Sequence, residues 1–295
     1  TTPDLTLFPY TTLFRSRGTF SMSGGEISGN TSGEYGGGIE LSSSTFTMTD
    51  GSISQNKAKE NGGGIDVSAG STFTMYGGTI TGNTSYIGGG VAVEKYGNNT
   101  FNMNGGAITD NTATNTGSET GGGVYVESDG IFNVSGAAKI TDNKRNEETN
   151  NVYLRPETIT ITGALDKDAS IGVTTPSVAV VGSPVTIAKG DGYTLTDDDA
   201  ARFTSDAGYY PELDGTEVKL YKNQPQKHPI CGETCTHDGI HPALVWEGIT
   251  ELADATKAGN YYLMESVTRP EKTGPLFCNN NVKLCLNGHS ITAAH

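Results

Sequence analysis

Residues 71–93 read STFTMYGGTITGNTSYIGGGVAV. A run ending in Met75 leads to Gly77–Gly78, a short segment centred on Ile80, and Asn83. A variable loop follows, then the triplet Gly88–Gly89–Gly90 and the apolar segment Val91–Val93. The same landmarks recur from about Gly18 to Leu154. Met22, Met48, Met75, Met103 and Val134 form one column, and Asn30, Asn56, Asn83, Asn111 and Asn143 form another. Glycine triplets stand at 36–38, 62–64, 88–90 and 121–123, with Asn150–Asn151 in the last copy. Spacings of 26, 27, 28 and 31 residues along the Met column indicate stacked coils, each burying its few apolar residues against the next.

Within a coil, Phe46/Met48, Phe73/Met75, Phe101/Met103 and Phe132/Val134 alternate with polar residues, the period-two pattern of a half-buried strand. Ile27, Ile53, Ile80, Ile108 and Ile140 give a second inward column. Ile39/Leu41, Ile65/Val67, Val91/Val93, Val124/Val126 and Val152/Leu154 give a third. The expected architecture is all-β: a parallel solenoid of about five coils over 17–154, three strands per coil, coils about 4.8 Å apart. The glycines serve corners that need positive φ or close backbone approach. The Asn column reads as a structural ladder inside a turn; a ligand-binding row is the alternative. The loops between Asn and the triplet vary, which places decoration on one edge.

The repeat GGGI-x-V, T-F-x-M-x-G-G-x-I-(S/T)-x-N resembles the right-handed parallel β-helix repeats of large, adhesin-like bacterial cell-surface proteins, which share the pectate-lyase-like fold. The resemblance covers roughly 18–154. It implies the fold, an extracellular or cell-surface location, and a glycan or surface protein as partner; because one fold hosts many activities, it leaves function open.

The flanks read differently. Residues 6–16, TLFPYTTLFRS, resemble one reading frame of a common sequencing adapter, so 1–16 are set aside as non-native and the chain is expected to be a fragment. From Arg155 the period breaks, and 155–222 reads as a β-rich cap covering the last coil's open edge. Asp197–Asp199 within it suit a turn or helix N-terminus better than a calcium loop. Residues 223–242 form a Cys/His-rich linker. His228, Cys231, Cys235, His237 and His241 offer donors for a zinc ion; a Cys231–Cys235 disulfide and free thiols remain equal readings. Residues 243–295 read as the opening coils of a second β-helix unit. Tyr262, Met264, Val267, Val282, Leu284, Leu286 and Ile291 are expected to face inward, Trp246 to cover the open end, and Cys278 and Cys285 to pair or pack.

The chain has 295 residues, 41 of them Gly, and a net charge of −14, which argues against a nucleic-acid or anionic-membrane partner. No apolar run is long enough to span a bilayer. Three function classes follow. The first is a non-catalytic surface stalk or adhesin, in which outward Tyr76, Tyr125 and Tyr153 stack sugars; Tyr125 and Tyr153 share a column on successive coils. The second is a polysaccharide lyase or glycoside hydrolase, which needs paired carboxylates. Glu40 over Asp66, Glu94 over Glu127, and Asp110 over Asp142 are such pairs, but each stands alone and reads as solvated surface. The third is a spacer without a ligand.

Overall fold

The computed structural model describes residues 18–117, 119–155, 158–228, 244–269 and 281–293. The chain is a right-handed parallel β-helix, and like residues stack on like. Phe46 pairs with Phe73, Met48 with Met75, Ile53 with Ile80, and Val91 with Val124, all in parallel register. A one-residue slip would turn every apolar side chain outward, so each inward column locks the register of the others. The rings of Phe20, Phe46, Phe73, Phe101 and Phe132 stack in a row with centroids 4.7–5.0 Å apart, the strand spacing itself.

Two expectations need correcting. The coils carry one extended segment more than the three expected; in the first two coils the first two segments run together as Thr19–Ser28 and Thr45–Ser54. Directly after the ladder Asn, Thr31–Ser32, Lys57–Ala58, Thr84–Ser85, Thr112–Ala113 and Lys144–Arg145 form a separate narrow sheet. Two residues are too few to show a period, which is why this sheet is silent in the sequence. The solenoid also runs to about nine turns rather than five. Beyond Arg155 the parallel ladder continues: Ile159–Leu165 pairs with Ile131–Gly136, Ser170–Thr174 with Lys139–Thr141, and Phe203–Ser205 with Ser170–Thr174. The Gly triplet and ladder Asn disappear there, so the repeat fades while the coil persists.

The chain forms two compact units. One holds the described residues up to Pro176 with Ile187–Gly208; the other holds Ser177–Thr186 and the described residues from Tyr209 onward. In the first unit, Asp197–Ala200 is a one-turn helix with a capping box between Thr196 and Asp199. Asp199 is buried and also accepts from the Leu165 amide at 2.9 Å.

In the second unit an antiparallel hairpin, Tyr210–Asp214 with Glu217–Tyr221, precedes a small sheet. Leu244–Ile249, Gly259–Leu263 and Val282–Cys285 run parallel there. Its core is Ile249, Leu252, Ala255, Tyr261 and Leu263, with Val267 and Val282 against it. Tyr261 and Leu263 therefore take the inward positions expected of Tyr262 and Met264, and Met264 is exposed. The run Tyr261–Met264 has no polar alternation, so its parity was undetermined until the core chose it. Leu284, Leu286 and Ile291 are exposed, against expectation, and Trp246 is buried.

Candidate functional site

The left-handed position before the ladder Asn is filled in turn by Gly29, Gln55, Gly82, Asp110 and Asp142, with φ of 66°, 53°, 66°, 58° and 62°. Asp tolerates that backbone better than most residues. The Asp110–Asp142 pair is therefore turn chemistry. The other carboxylates behave differently.

They stand on the outer face of the sheet that follows the glycine triplets. One register row there is Glu40, Asp66, Ala92, Tyr125 and Tyr153. Two residues further along each strand, the amides of Glu94, Glu127 and Arg155 donate to Val67, Val93 and Val126 on the preceding coil, which aligns a second row. The two acidic pairs that looked separate in sequence are joined electrostatically through Asp66 and Glu94, each of which shifts the other's ionisation. Asp66 is 1% exposed. Burial pushes its pKa well above the carboxylate range, and the charges of Glu94 and Glu40 push it further. Glu94 is also raised, first by burial and then by Glu127, while the Asn61 side chain opposes this by donating to Glu94 Oε1 at 2.6 Å. Asp66 Oδ1 has no hydrogen-bond partner among the described residues. Lys95 Nζ lies 3.3 Å from Glu127, and Arg155 lies 2.6 Å from Glu119.

Tyr125 and Tyr153 do meet, with ring centroids 6.1 Å apart. Their expected exposure is corrected: they are 3% and 1% exposed. In-register stacking sets one ring against the other, with Arg155 beside Tyr125 and Glu119 near Tyr153. Burial and then Glu127 push the Tyr125 hydroxyl up to about 12. Tyr76, by contrast, is exposed.

Of the zinc candidates, His228 pairs through its backbone with Leu244; Cys231, Cys235, His237 and His241 lie outside the described residues, as does Cys278. Cys285 is a free thiol. Among the described residues no group of three or more His, Cys, Asp or Glu is placed to hold a metal ion, and no helix is long and apolar enough to cross a membrane.

The arrangement can store a proton and present carboxylates in a row. Because the Asp66 pKa is raised in the fold, the stabilisation from its neutral form is complete below the ordinary carboxylate range and is lost as pH rises through the raised value. Asp66→Asn should therefore stabilise the fold at pH 8 by about 1 kcal/mol or more relative to the parent, with the gain shrinking at pH 4. Denaturant midpoints at the two pH values check this; an equal shift at both would rule out a proton stored at Asp66.

The fold and this face define the class, a parallel β-solenoid with a buried acidic and aromatic outer row. No family model, curated protein or solved structure matches the chain.

Proposed function

We propose that the chain is a rigid, non-catalytic β-solenoid of a bacterial surface protein, a stalk or adhesin that meets a glycan or protein partner outside the cell. The observation that carries this reading is the unbroken stack of identical inward residues, Phe on Phe and Asn on Asn, through five coils. A continuous ladder makes a stiff rod, and a net charge of −14 keeps it dispersed. With Tyr125 and Tyr153 buried, Tyr76 becomes the aromatic candidate for stacking a sugar.

One observation favours polysaccharide cleavage as a second reading: burial raises the pKa of both Asp66 and Glu94, as a general acid requires. A single experiment separates the readings. Incubation with a panel of surface and plant polysaccharides should give binding that Tyr76→Ala weakens about tenfold, without release of unsaturated or reducing sugars. Product release that Glu94→Gln abolishes would establish the enzyme instead. Binding of nothing in the panel would leave the spacer.

A further inference from the structure

The strands that bury Phe and Met carry three polar rows on their outer side. Thr19, Thr45, Thr72 and Thr100 stand in one row, in register from coil to coil. Ser21, Thr47, Thr74, Asn102 and Asn133 form the next. The amides of Tyr76 and Asn104 donate to Met48 and Met75 on the preceding coils, which aligns Thr49, Tyr76 and Asn104 as a third. None of these side chains is charged, in a chain with 33 acidic and 19 basic residues. The carboxylates Glu40, Asp66, Glu94 and Glu127 gather instead on the sheet after the glycine triplets.

Tyr76 stands out from its row. Thr49 and Asn104 on either side of it are smaller, so it lacks the ring-on-ring cover that Tyr125 and Tyr153 give each other, and it is 58% exposed. The polar side chains around it are held in fixed orientations. Asn133 Nδ2 donates to Asn102 Oδ1 at 2.8 Å, and Asn102 Nδ2 donates to Thr74 Oγ1 at 3.3 Å. Ser135 Oγ donates to Asn104 Oδ1 at 2.8 Å. Each bond occupies an oxygen. The Thr74 O–H, two residues before Tyr76, and Asn104 Nδ2, one coil on from it, have no acceptor among the described residues. An exposed ring beside oriented donors suits a sugar, whose C–H face stacks while its hydroxyl oxygens accept. Side chains already oriented cost less to order on binding.

We propose that this face binds a neutral polysaccharide, with one pyranose ring stacked on Tyr76 and its hydroxyls bonded to Thr74 and Asn104. This rests on the glycan-binding reading above, which it narrows to one chemical class. Charge decides the class. A uronate or sulfated chain would meet no cation in these rows, and it would face the exposed Asp50 at the corner after Thr49 on a protein of net charge −14. A neutral chain meets no such repulsion. Coils repeat about every 4.8 Å, so a polymer crosses several uncharged coils where a monosaccharide reaches only the surroundings of Tyr76.

Affinity electrophoresis of the full chain tests this, in gels holding a neutral polymer (galactomannan or mixed-linkage glucan) or an acidic one (polygalacturonate or alginate). Retardation is expected in the neutral gels alone, and added salt should not change it. Asn104→Asp can still accept from Ser135 but puts a charge where the donor was; it should weaken retardation about fivefold or more. Tyr76→Ala should weaken it about tenfold. Tyr96→Ala removes an exposed ring that lies beside Lys95, outside the three rows, and should change nothing. Denaturant midpoints establish that each variant is folded. Retardation by the acidic polymers, alone or equally, would overturn the neutral class and leave the glycan reading standing. Retardation in neutral gels that both Asn104→Asp and Tyr76→Ala leave intact would overturn the site. No retardation in any gel would overturn the inference and the glycan reading together.

Discussion

Asn83→Ala is expected to cost roughly 3–5 kcal/mol of folding stability. The side chain makes four buried bonds: it accepts from Asn56 N and Nδ2 at 2.9 and 3.0 Å, and it donates to Ile53 O and Asn111 Oδ1 at 2.9 Å. Removing it does more than delete those bonds. It leaves the Asn56 amide and side chain pointing at an empty space that solvent does not reach, and an orphaned buried donor costs more than an average hydrogen bond gains. Asn30→Ala supplies the internal control. Asn30 accepts from nothing among the described residues, and its backbone bond to Asn56 survives the change, so about 1 kcal/mol is expected. Denaturant titration of the two variants checks this. Equal losses would mean that the ladder is decoration on a stack held by apolar columns alone.

Gly63→Ala is the second large effect. Gly62 and Gly63 divide the work of the corner. Gly62 turns it at φ 66°, where an L side chain is strained. Gly63 lies flat against the next coil: a Cβ there would sit 2.7 Å from both the nitrogen and the carbonyl carbon of Thr84. Those are backbone atoms and cannot swing aside, so the coils must part, and with them the flanking rows of the ladder and the Phe stack. More than about 3 kcal/mol is expected. Gly29→Ala separates crowding from backbone strain. Gly29 has φ 66° but open space around the Cβ position, so only the left-handed penalty of roughly 1–2 kcal/mol applies. Similar losses for the two variants would show that conformation, not close packing, sets the glycine requirement.

Much of the molecule was legible in one dimension because a solenoid repeats its solution. Met, Ile and Asn recur at matched offsets, and since like residues pair across coils, reading one coil reads them all. What was missed has a common cause. Thr84–Ser85 and its equivalents are too short to carry a period. Ile159–Leu165 continues the stack without the glycine triplet that had marked the first four coils. Asp206 ends the ladder from 55 residues beyond Asn151, and no local signal ties them. The Asp66–Glu94 contact bridges two strands of different coils, each carboxylate unremarkable alone; a search for acids at adjacent outward positions on consecutive coils would have found it.

The amino-acid sequence by itself determined the period, the register and the side of each sheet on which a residue lies, because alternation and repeat spacing are properties of the backbone geometry. It did not determine what lies against the outer side. Tyr125, Tyr153 and Asp66 all point outward from their strands, as the alternation requires, and all are buried. Only the stacked structure sets their neighbours, Arg155, Glu119 and Glu94, around them. Direction is local, and burial depends on chain segments that the fold brings from elsewhere. That difference turned the tyrosines from a sugar platform into packing, and a pair of surface carboxylates into a buried acid pair.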